Sequence, residues 1–175
     1  MLTPVSGGSC NFDVPGQSED YSVSGKGGTN TIVRQTQASN NCAFLRLGQV
    51  AGLDNVVGMA KRLGVRSPLE IGNSATGEST PPFSLPLGTM DITPIDMASA
   101  YATFANDGMR NEPYYVERIE DKNGKVLYQH QLNPVRVLDA QTARLVNQTL
   151  EANVTGGTGR NAQIDGGQPA AGKTG

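Results

Sequence analysis

The feature that most constrains the fold is a helix predicted over residues 94–106. Thr93 is a good N-cap, Pro94 suits the first helical position, and Asp96 stands in the first turn, where the helix dipole favours an acid. Five residues of helical spacing share one face, namely Ile95, Ala98, Tyr101, Ala102 and Ala105. Because most of them are small, this apolar stripe predicts close packing against a neighbouring element, and Gly108 is placed to end the helix.

Shorter helices and strands surround this helix without regular alternation. Further helices are predicted over residues 29–38 (capped by Thr29 or Asn30), 42–48, 53–63 and 140–152. Strands are predicted over 114–120, 125–131 and 135–138, and a turn at 121–124 joins the first two into a hairpin. Loops are predicted over 1–28 and 66–90, which are rich in Gly, Ser and Pro. Such a mixture predicts the α+β fold class.

Charge and composition exclude several functions. A net charge of -2, with no basic cluster, argues against nucleic-acid binding. No apolar run approaches the roughly 18 residues that span a bilayer, and the first residues lack the pattern of a signal peptide. Because His130 is the only histidine, a zinc site built on Cys10 and Cys42 would be short of ligands, and a Ser-His-Asp triad is disfavoured.

Residues 167–174 match the pattern of a phosphate-binding loop, G-x-x-x-x-G-K-[ST]. Such a loop requires a buried strand before its first glycine and a helix that begins at the Lys-Thr pair. The preceding residues 160–166 contain Ile164 as their one large aliphatic side chain, which makes a poor buried strand. Binding of a nucleotide is therefore an alternative that the sequence disfavours.

The same Lys173-Thr174-Gly175 also fits a serine acyl-transfer site, which combines S-x-x-K, a Ser-x-Asn and a K-T-G. Ser39-Asn40-Asn41 supplies the Ser-x-Asn between two predicted helices. A lysine can act as base or proton relay once desolvation lowers its pKa, and a serine can pass on the proton. Taken without other information, Ser39 and Asn41 are better explained as capping residues between the helices, and Lys173 as a solvated terminal lysine.

Three segments carry a resemblance to a known family. Residues 93–108 resemble the long helix in the transpeptidase domain of class A penicillin-binding proteins. Residues 39–44 resemble the second motif of that family, and Gly157-Thr158-Gly159 followed by 170–175 resembles the approach to its third motif. The resemblance covers 27–175 as the central part of such a domain, after an irregular segment 1–26. The Ser-Asn-Asn-Cys variant is similar to actinobacterial members.

The resemblance implies a fold and a reaction. The fold would be the helical cluster with antiparallel sheet of penicillin-binding transpeptidases and serine β-lactamases. A serine would attack the D-Ala-D-Ala end of a peptidoglycan stem peptide, an amine of a second stem peptide would resolve the acyl-enzyme, and β-lactams would acylate the same serine. No metal or nucleotide is implied, and the protein would lie at the extracytoplasmic face of the bacterial membrane, anchored by parts outside this chain.

Roles in that reaction carry over to five residues. Ser39 would relay a proton to the leaving nitrogen, and Asn41 would bind the substrate amide. Lys173 would tune the charge network, Thr174 would bind the substrate carboxylate, and Gly175 would leave room for the backbone. The loop 157–159 is expected to be structural, with glycines that need positive φ.

One departure from the family concerns the nucleophile. No serine of the chain stands in an S-x-x-K pattern. The resemblance therefore implies that the nucleophile lies before Met1, that the chain is the middle of a domain cut at both ends, and that these 175 residues alone are inactive. A non-catalytic module of the same fold stays an alternative. Cys10 and Cys42 could form a disulfide, although the favoured interpretation of Cys42 is a small buried residue.

Overall fold

The computed structural model describes residues 5–6, 8, 10–14, 20–25, 28–74 and 76–174. It contains five α-helices and five pairs of short antiparallel strands among these residues. The helices are α1 (Ile32–Gln37), α2 (Asn41–Ala51), α3 (Leu53–Arg62), α4 (Pro94–Ala105) and α5 (Ala140–Gly156). Single turns of 3₁₀ helix occur at Leu85–Leu87, Arg160–Ala162 and Asp165–Gly167. The predicted α+β class is confirmed.

The strands form two-stranded ribbons and no larger sheet in the part of the chain that is described. In chain order they are β1 (Val5–Ser6), β2 (Cys10–Phe12), β3 (Tyr21–Val23), β4 (Thr29–Asn30), β5 (Ile71–Gly72), β6 (Ser79–Thr80), β7 (Met109–Arg110), β8 (Arg118–Glu120), β9 (Val126–Gln129) and β10 (Val135–Arg136). The pairs are β1 with β4, β2 with β3, β5 with β6, β7 with β10 and β8 with β9. The predicted hairpin and its turn are confirmed by the last pair.

Two predicted loops contain strands. The segment 1–28 holds β1, β2 and β3, and the segment 66–90 holds β5 and β6. These strands are two or three residues long, too short to produce a visible alternation of apolar and polar residues. The predicted start of α1 was also wrong, because Thr29 and Asn30 pair with β1 and Thr31 caps the helix.

The predicted capping of α4 is confirmed, but the predicted buried face is wrong. The Thr93 side chain accepts a hydrogen bond from the backbone N–H of Asp96, and the helix starts at Pro94. Its buried residues are Asp96, Ser99, Ala100 and Thr103, whereas the predicted stripe is exposed at Ile95, Ala98, Ala102 and Ala105 and half-buried at Tyr101.

Hydrogen bonding explains this rotation of the buried face of α4. The Asp96 carboxylate accepts from the backbone N–H groups of Arg66 and Ser67 at 2.9 and 2.8 Å, and from the Ser67 hydroxyl at 2.7 Å. The Thr103 hydroxyl donates to the carbonyl of Ser99 at 3.0 Å. Polar groups can be buried when they are paired, so apolarity alone did not identify the packed face.

Among the described residues, three clusters of buried apolar side chains lie between these elements. The first contains a disulfide between Cys10 and Cys42, which joins β2 to α2 beside Phe12 and Leu45. The favoured interpretation of Cys42 as a free thiol was therefore wrong, although its side chain is fully buried as expected. In the second cluster, Val57 of α3 packs against Val65 and Leu69 of the loop that follows the helix. In the third, Leu63 after α3 and Ala100 of α4 pack with Val137. No helix in the described ranges is both long and apolar enough to cross a membrane.

Candidate active site

Ser39 lies in the tight turn between α1 and α2. Its backbone adopts a positive φ of 51°, and its N–H donates to the carbonyl of Thr36 at 3.0 Å. The cap of α2 is Asn40, which is buried and accepts from the N–H of Ala43 at 3.3 Å. Because Asn40 caps the helix, the side chains of Ser39 and Asn41 are not engaged as its N-cap.

Lys173 meets Ser39 from the other end of the chain. The Lys173 ammonium Nζ donates to Ser39 Oγ at 2.6 Å, across a sequence separation of 134 residues. The same Nζ donates to the carbonyl of Thr174 at 2.6 Å. The two motifs that the sequence singled out, Ser-x-Asn and K-T-G, thus form one cluster.

The surroundings of Lys173 change its acidity. The residue is half-buried and borders an apolar cavity of about 540 Å³ that is also lined by Ile32, Phe44 and Tyr101. Desolvation by burial lowers the pKa of the Lys173 ammonium group from its ordinary value of 10.5. A lysine of lowered pKa that contacts a serine hydroxyl can exchange protons with it.

Helix α5 holds the chain that carries Lys173. The Asn153 side chain is fully buried, and its Nδ2 donates to the carbonyl of Gly172 at 2.8 Å. The N–H of Gly172 donates to the carbonyl of Leu150 at 3.3 Å. Sequence reasoning missed Asn153 because the predicted helix ended at residue 152 and no motif includes it.

Helix α5 also holds the end of α1, which leads directly to Ser39. Gln37 Nε2 donates to the carbonyl of Ala152 at 2.9 Å, and the N–H of Thr158 donates to the carbonyl of Gln37 at 3.1 Å. One helix therefore fixes both sides of the cluster, which explains how motifs at opposite ends of the chain come together.

The loop 157–159 needs glycine for a different reason from the one predicted. Gly157 has φ −115° and Gly159 has φ −85°, so the expected positive φ was wrong. A Cβ on Gly157 would lie 2.4 Å from Asn153 Oδ1 and 2.7 Å from the Cα of Gln37, and one on Gly159 would lie 2.8 Å from Asn153 Nδ2. Close approach of the loop to α1 and α5 is what excludes larger residues.

Two open cavities flank the Lys173–Ser39 contact. One, of about 440 Å³, is lined by Ser24, Gly25, Ser39 and Asn41, and Asn41 is exposed on the first turn of α2. The other, of about 360 Å³, is lined by Lys173, Thr174, Thr158 and Gly159 among others. Thr174 is exposed there, and its hydroxyl lies 2.7 Å from that of Thr158. Gly175 lies outside the described residues.

The phosphate-binding interpretation of residues 167–174 is not supported. The described residues 160–166 contain turns of 3₁₀ helix and no strand that could deliver Gly167. Lys173 directs its ammonium to Ser39 and to the carbonyl of Thr174, and not into a loop of backbone amides.

Comparison with known proteins shows the family of the chain. The family model described as the penicillin binding protein transpeptidase domain matches residues 5–175. The chain belongs to this family. The predicted resemblance and the predicted fold are thereby confirmed.

The curated relatives of this transpeptidase-domain chain are larger proteins. It is 34% identical over 120 residues to penicillin-binding protein 1A of Aquifex aeolicus, covering 68% of the chain and 16% of that protein. It is 29% identical to penicillin-binding protein 1A of Neisseria meningitidis, covering 83% of the chain and 18% of that protein. The chain thus spans less than a fifth of the length of these relatives.

Solved structures are similar over nearly the whole chain. PonA1 from Mycobacterium tuberculosis superposes with a TM-score of 0.79 at 25% identity, covering 98% of this chain and 46% of that one. Penicillin-binding protein A from M. tuberculosis, solved as an imipenem acyl-enzyme complex, gives 0.72 at 20% identity and covers 94% and 41%. An actinobacterial origin stays a prediction.

Proposed function

We propose that these residues form part of a peptidoglycan D,D-transpeptidase that cross-links stem peptides through a serine acyl-enzyme. The observation that carries the proposal is the 2.6 Å hydrogen bond from Lys173 Nζ to Ser39 Oγ, which joins the two family motifs. The nucleophilic serine, in an S-x-x-K, lies outside these 175 residues, because the sequence contains none.

Each group near the contact has a task in this reaction. The nucleophilic serine oxygen attacks the carbonyl of the penultimate D-alanine, and its hydroxyl proton passes to the network of Ser39 and Lys173. The peptide bond breaks, and Ser39 passes a proton from that network to the departing nitrogen of D-alanine. Lys173 supplies positive charge and shares protons with Ser39, to which its lowered pKa is suited. An acceptor amine then attacks the ester carbon and forms the cross-link as the ester C–O bond breaks, and the proton that the amine loses passes through Ser39 to the departing oxygen of the nucleophilic serine.

The remaining site residues hold the substrate. Asn41, which has one amide donor group and one acceptor, hydrogen-bonds the peptide backbone of the donor. Thr174 and Lys173 bind the terminal carboxylate, and Gly175 leaves room for the backbone. The partners are the D-Ala-D-Ala donor peptide, an amine acceptor peptide, and β-lactams that resemble the donor. Acyl-enzyme complexes of a protein of the same fold, one with imipenem and one with ceftriaxone, support the last of these.

The proposed function places the protein on the extracytoplasmic face of the membrane. The substrate lies outside the cytoplasm, and the disulfide between Cys10 and Cys42 is of the kind that persists in an oxidising compartment.

The proposal is tested by locating a β-lactam adduct. The natural full-length protein should gain the mass of one penicillin, on a serine outside these residues, and Ser39→Ala should slow that acylation without abolishing it. The isolated 175-residue chain should gain none, since relays and carboxylate binders cannot replace the attacking oxygen.

Two results would contradict the proposal. Penicilloylation at Ser39 would make Ser39 the nucleophile. A full-length protein that forms no adduct with any penicillin would favour the non-catalytic alternative.

A further inference from the structure

Thr158 lies at the site, in the 157–159 segment that resembles the approach to the third motif and was expected to be structural only. It follows α5, and its hydroxyl contacts two polar groups. Its Oγ1 lies 2.7 Å from the Thr174 hydroxyl and donates to Asn153 Oδ1 at 3.3 Å. Its own side chain is exposed, so the contact with Thr174 borders the open cavity beside Lys173.

The backbone around Thr158 fixes the position of this hydroxyl. Its N–H is bound to the carbonyl of Gln37 at 3.1 Å, and Gly157 and Gly159 on either side approach α1 and α5 too closely to accept a Cβ. The N–H groups of both glycines also donate to the carbonyl of Asn153, at 2.9 and 3.3 Å. Thr158 is therefore held rigidly beside Thr174 although its side chain is exposed.

Counting protons shows what the pair of hydroxyls can do. Each threonine hydroxyl has one proton to donate. Asn153 uses its Nδ2 on the carbonyl of Gly172, so its Oδ1 is an acceptor for Thr158. While Thr158 donates to Asn153, the 2.7 Å contact requires Thr174 to donate to Thr158, and the Thr174 proton is then not free for a ligand.

Rotation of both hydroxyls reverses this arrangement. If Thr158 donates to Thr174 instead, Thr174 accepts that bond and directs its own proton into the cavity. The exchange gives up only the longer of the two bonds, the 3.3 Å contact with Asn153. An anion in the cavity favours the second arrangement, because a hydrogen bond to a charged acceptor is stronger than one between neutral groups.

We propose that Thr158 is a positioning residue that orients the Thr174 hydroxyl toward a bound carboxylate. This inference rests on the proposed function, in which Thr174 binds the carboxylate of the peptide or β-lactam. Thr158 does not contact the ligand: it accepts from Thr174 when the site is empty and donates to Thr174 when the carboxylate is bound.

The test uses variants of the natural full-length protein and two probes, a penicillin and its methyl ester. Rates of acylation over a range of concentrations separate the apparent dissociation constant from the limiting rate. Thr158→Val, which removes the hydroxyl and keeps the shape, should raise the dissociation constant for the penicillin about 3- to 10-fold, the scale of one hydrogen bond. The ester should be unaffected, and Thr158→Ser should behave as the wild type.

A double-mutant cycle separates positioning from a merely structural role. In a Thr174→Val background, Thr158→Val should add little, because its effect acts through the Thr174 hydroxyl. Thr155→Val is the matched control, since among the described residues the Thr155 hydroxyl bonds only carbonyls of α5, those of Glu151 and Ala152. It should leave both probes unchanged.

The outcomes that overturn the inference are distinct. Thr158 would only support the loop if Thr158→Val weakened the binding of penicillin and ester equally. The same would follow if Thr158→Val had equal effects in the wild-type and Thr174→Val backgrounds. Unchanged binding in Thr158→Val, in a protein whose wild type reacts normally, would contradict the positioning role alone. A wild type that reacts with no penicillin would contradict the proposed function, and the positioning role with it.

Discussion

At the scale of the residue, the site depends on a serine in an unusual conformation. Ser39 has a φ of 51°, a left-handed conformation that costs a non-glycine residue about 1–2 kcal/mol. The surrounding structure holds it there, because the N–H groups of Ser39 and Asn40 donate to carbonyls of α1, at 3.0 Å each. This turn directs Ser39 Oγ at Lys173, while the side chain of Asn40 caps α2.

The residues of the site were predictable only in part. Ser39, Asn41, Lys173 and Thr174 stand in short motifs, and the resemblance to a family joined those motifs. Asn153 carries no local signal, and the segment 157–159 predicted only a structural loop for Thr158, because the contacts of both residues with Gly172 and Thr174 arise where the chain packs against α5. Their position is a property of the packed molecule and not of the residues around them in sequence.

Lys173 is expected to lose its proton at an unusually low pH. Desolvation disfavours the charged form, so its pKa lies below 10.5 and the neutral amine is populated at lower pH than in a free lysine. Competitive labelling of the natural protein with an amine-reactive reagent, followed by mass spectrometry across pH, measures this. The midpoint for Lys173 should lie below that of a lysine in a short peptide, and a midpoint at or above it would contradict the burial argument.

At the scale of the element, the start of α4 was easier to predict than its buried face. The start of α4 follows from Thr93 and Pro94, whose preferences are local. Its buried face depends on partners distant in sequence, above all the backbone of Arg66 and Ser67, which binds the Asp96 carboxylate. The short strands of the first 30 residues were missed for a similar reason, since a strand of two or three residues is defined by its partner.

The orientation of α4 predicts opposite responses at two alanines. Ala100 is 6% exposed and packs with Leu63 and Val137, whereas Ala102 is exposed. Ala100→Leu should therefore overpack the core and cost about 1–3 kcal/mol of the free energy of unfolding, and Ala102→Leu should cost less. Denaturant unfolding of the natural protein with each substitution measures the free energy of unfolding. A larger decrease for Ala102→Leu than for Ala100→Leu would show that the Ala102 face of α4 is the packed one.

At the scale of the whole molecule, the disulfide and helix α5 each connect segments that are distant in sequence. The disulfide between Cys10 and Cys42 closes a loop of 32 residues, which stabilises the fold by about 3–4 kcal/mol in the chain-entropy account. Helix α5 connects distant segments through hydrogen bonds: Gln37 at the end of α1 bonds to its backbone, and its Asn153 bonds to the backbone just before the K-T-G. The α+β class followed from the sequence, but this convergence on α5 did not, because it joins regions more than 100 residues apart.

The rate of penicillin acylation in Lys173→Ala tests the central claim most directly. Removing one preorganised charged group at an acyl-transfer site commonly costs about 10²–10³ in rate, so the natural protein with Lys173→Ala should acylate that much more slowly than the wild type. Lys122→Ala, a change at an exposed hairpin turn, is the matched control and should acylate at the wild-type rate. Near-normal acylation by Lys173→Ala would contradict the account, because the contact between Lys173 and Ser39 would then have no part in the reaction.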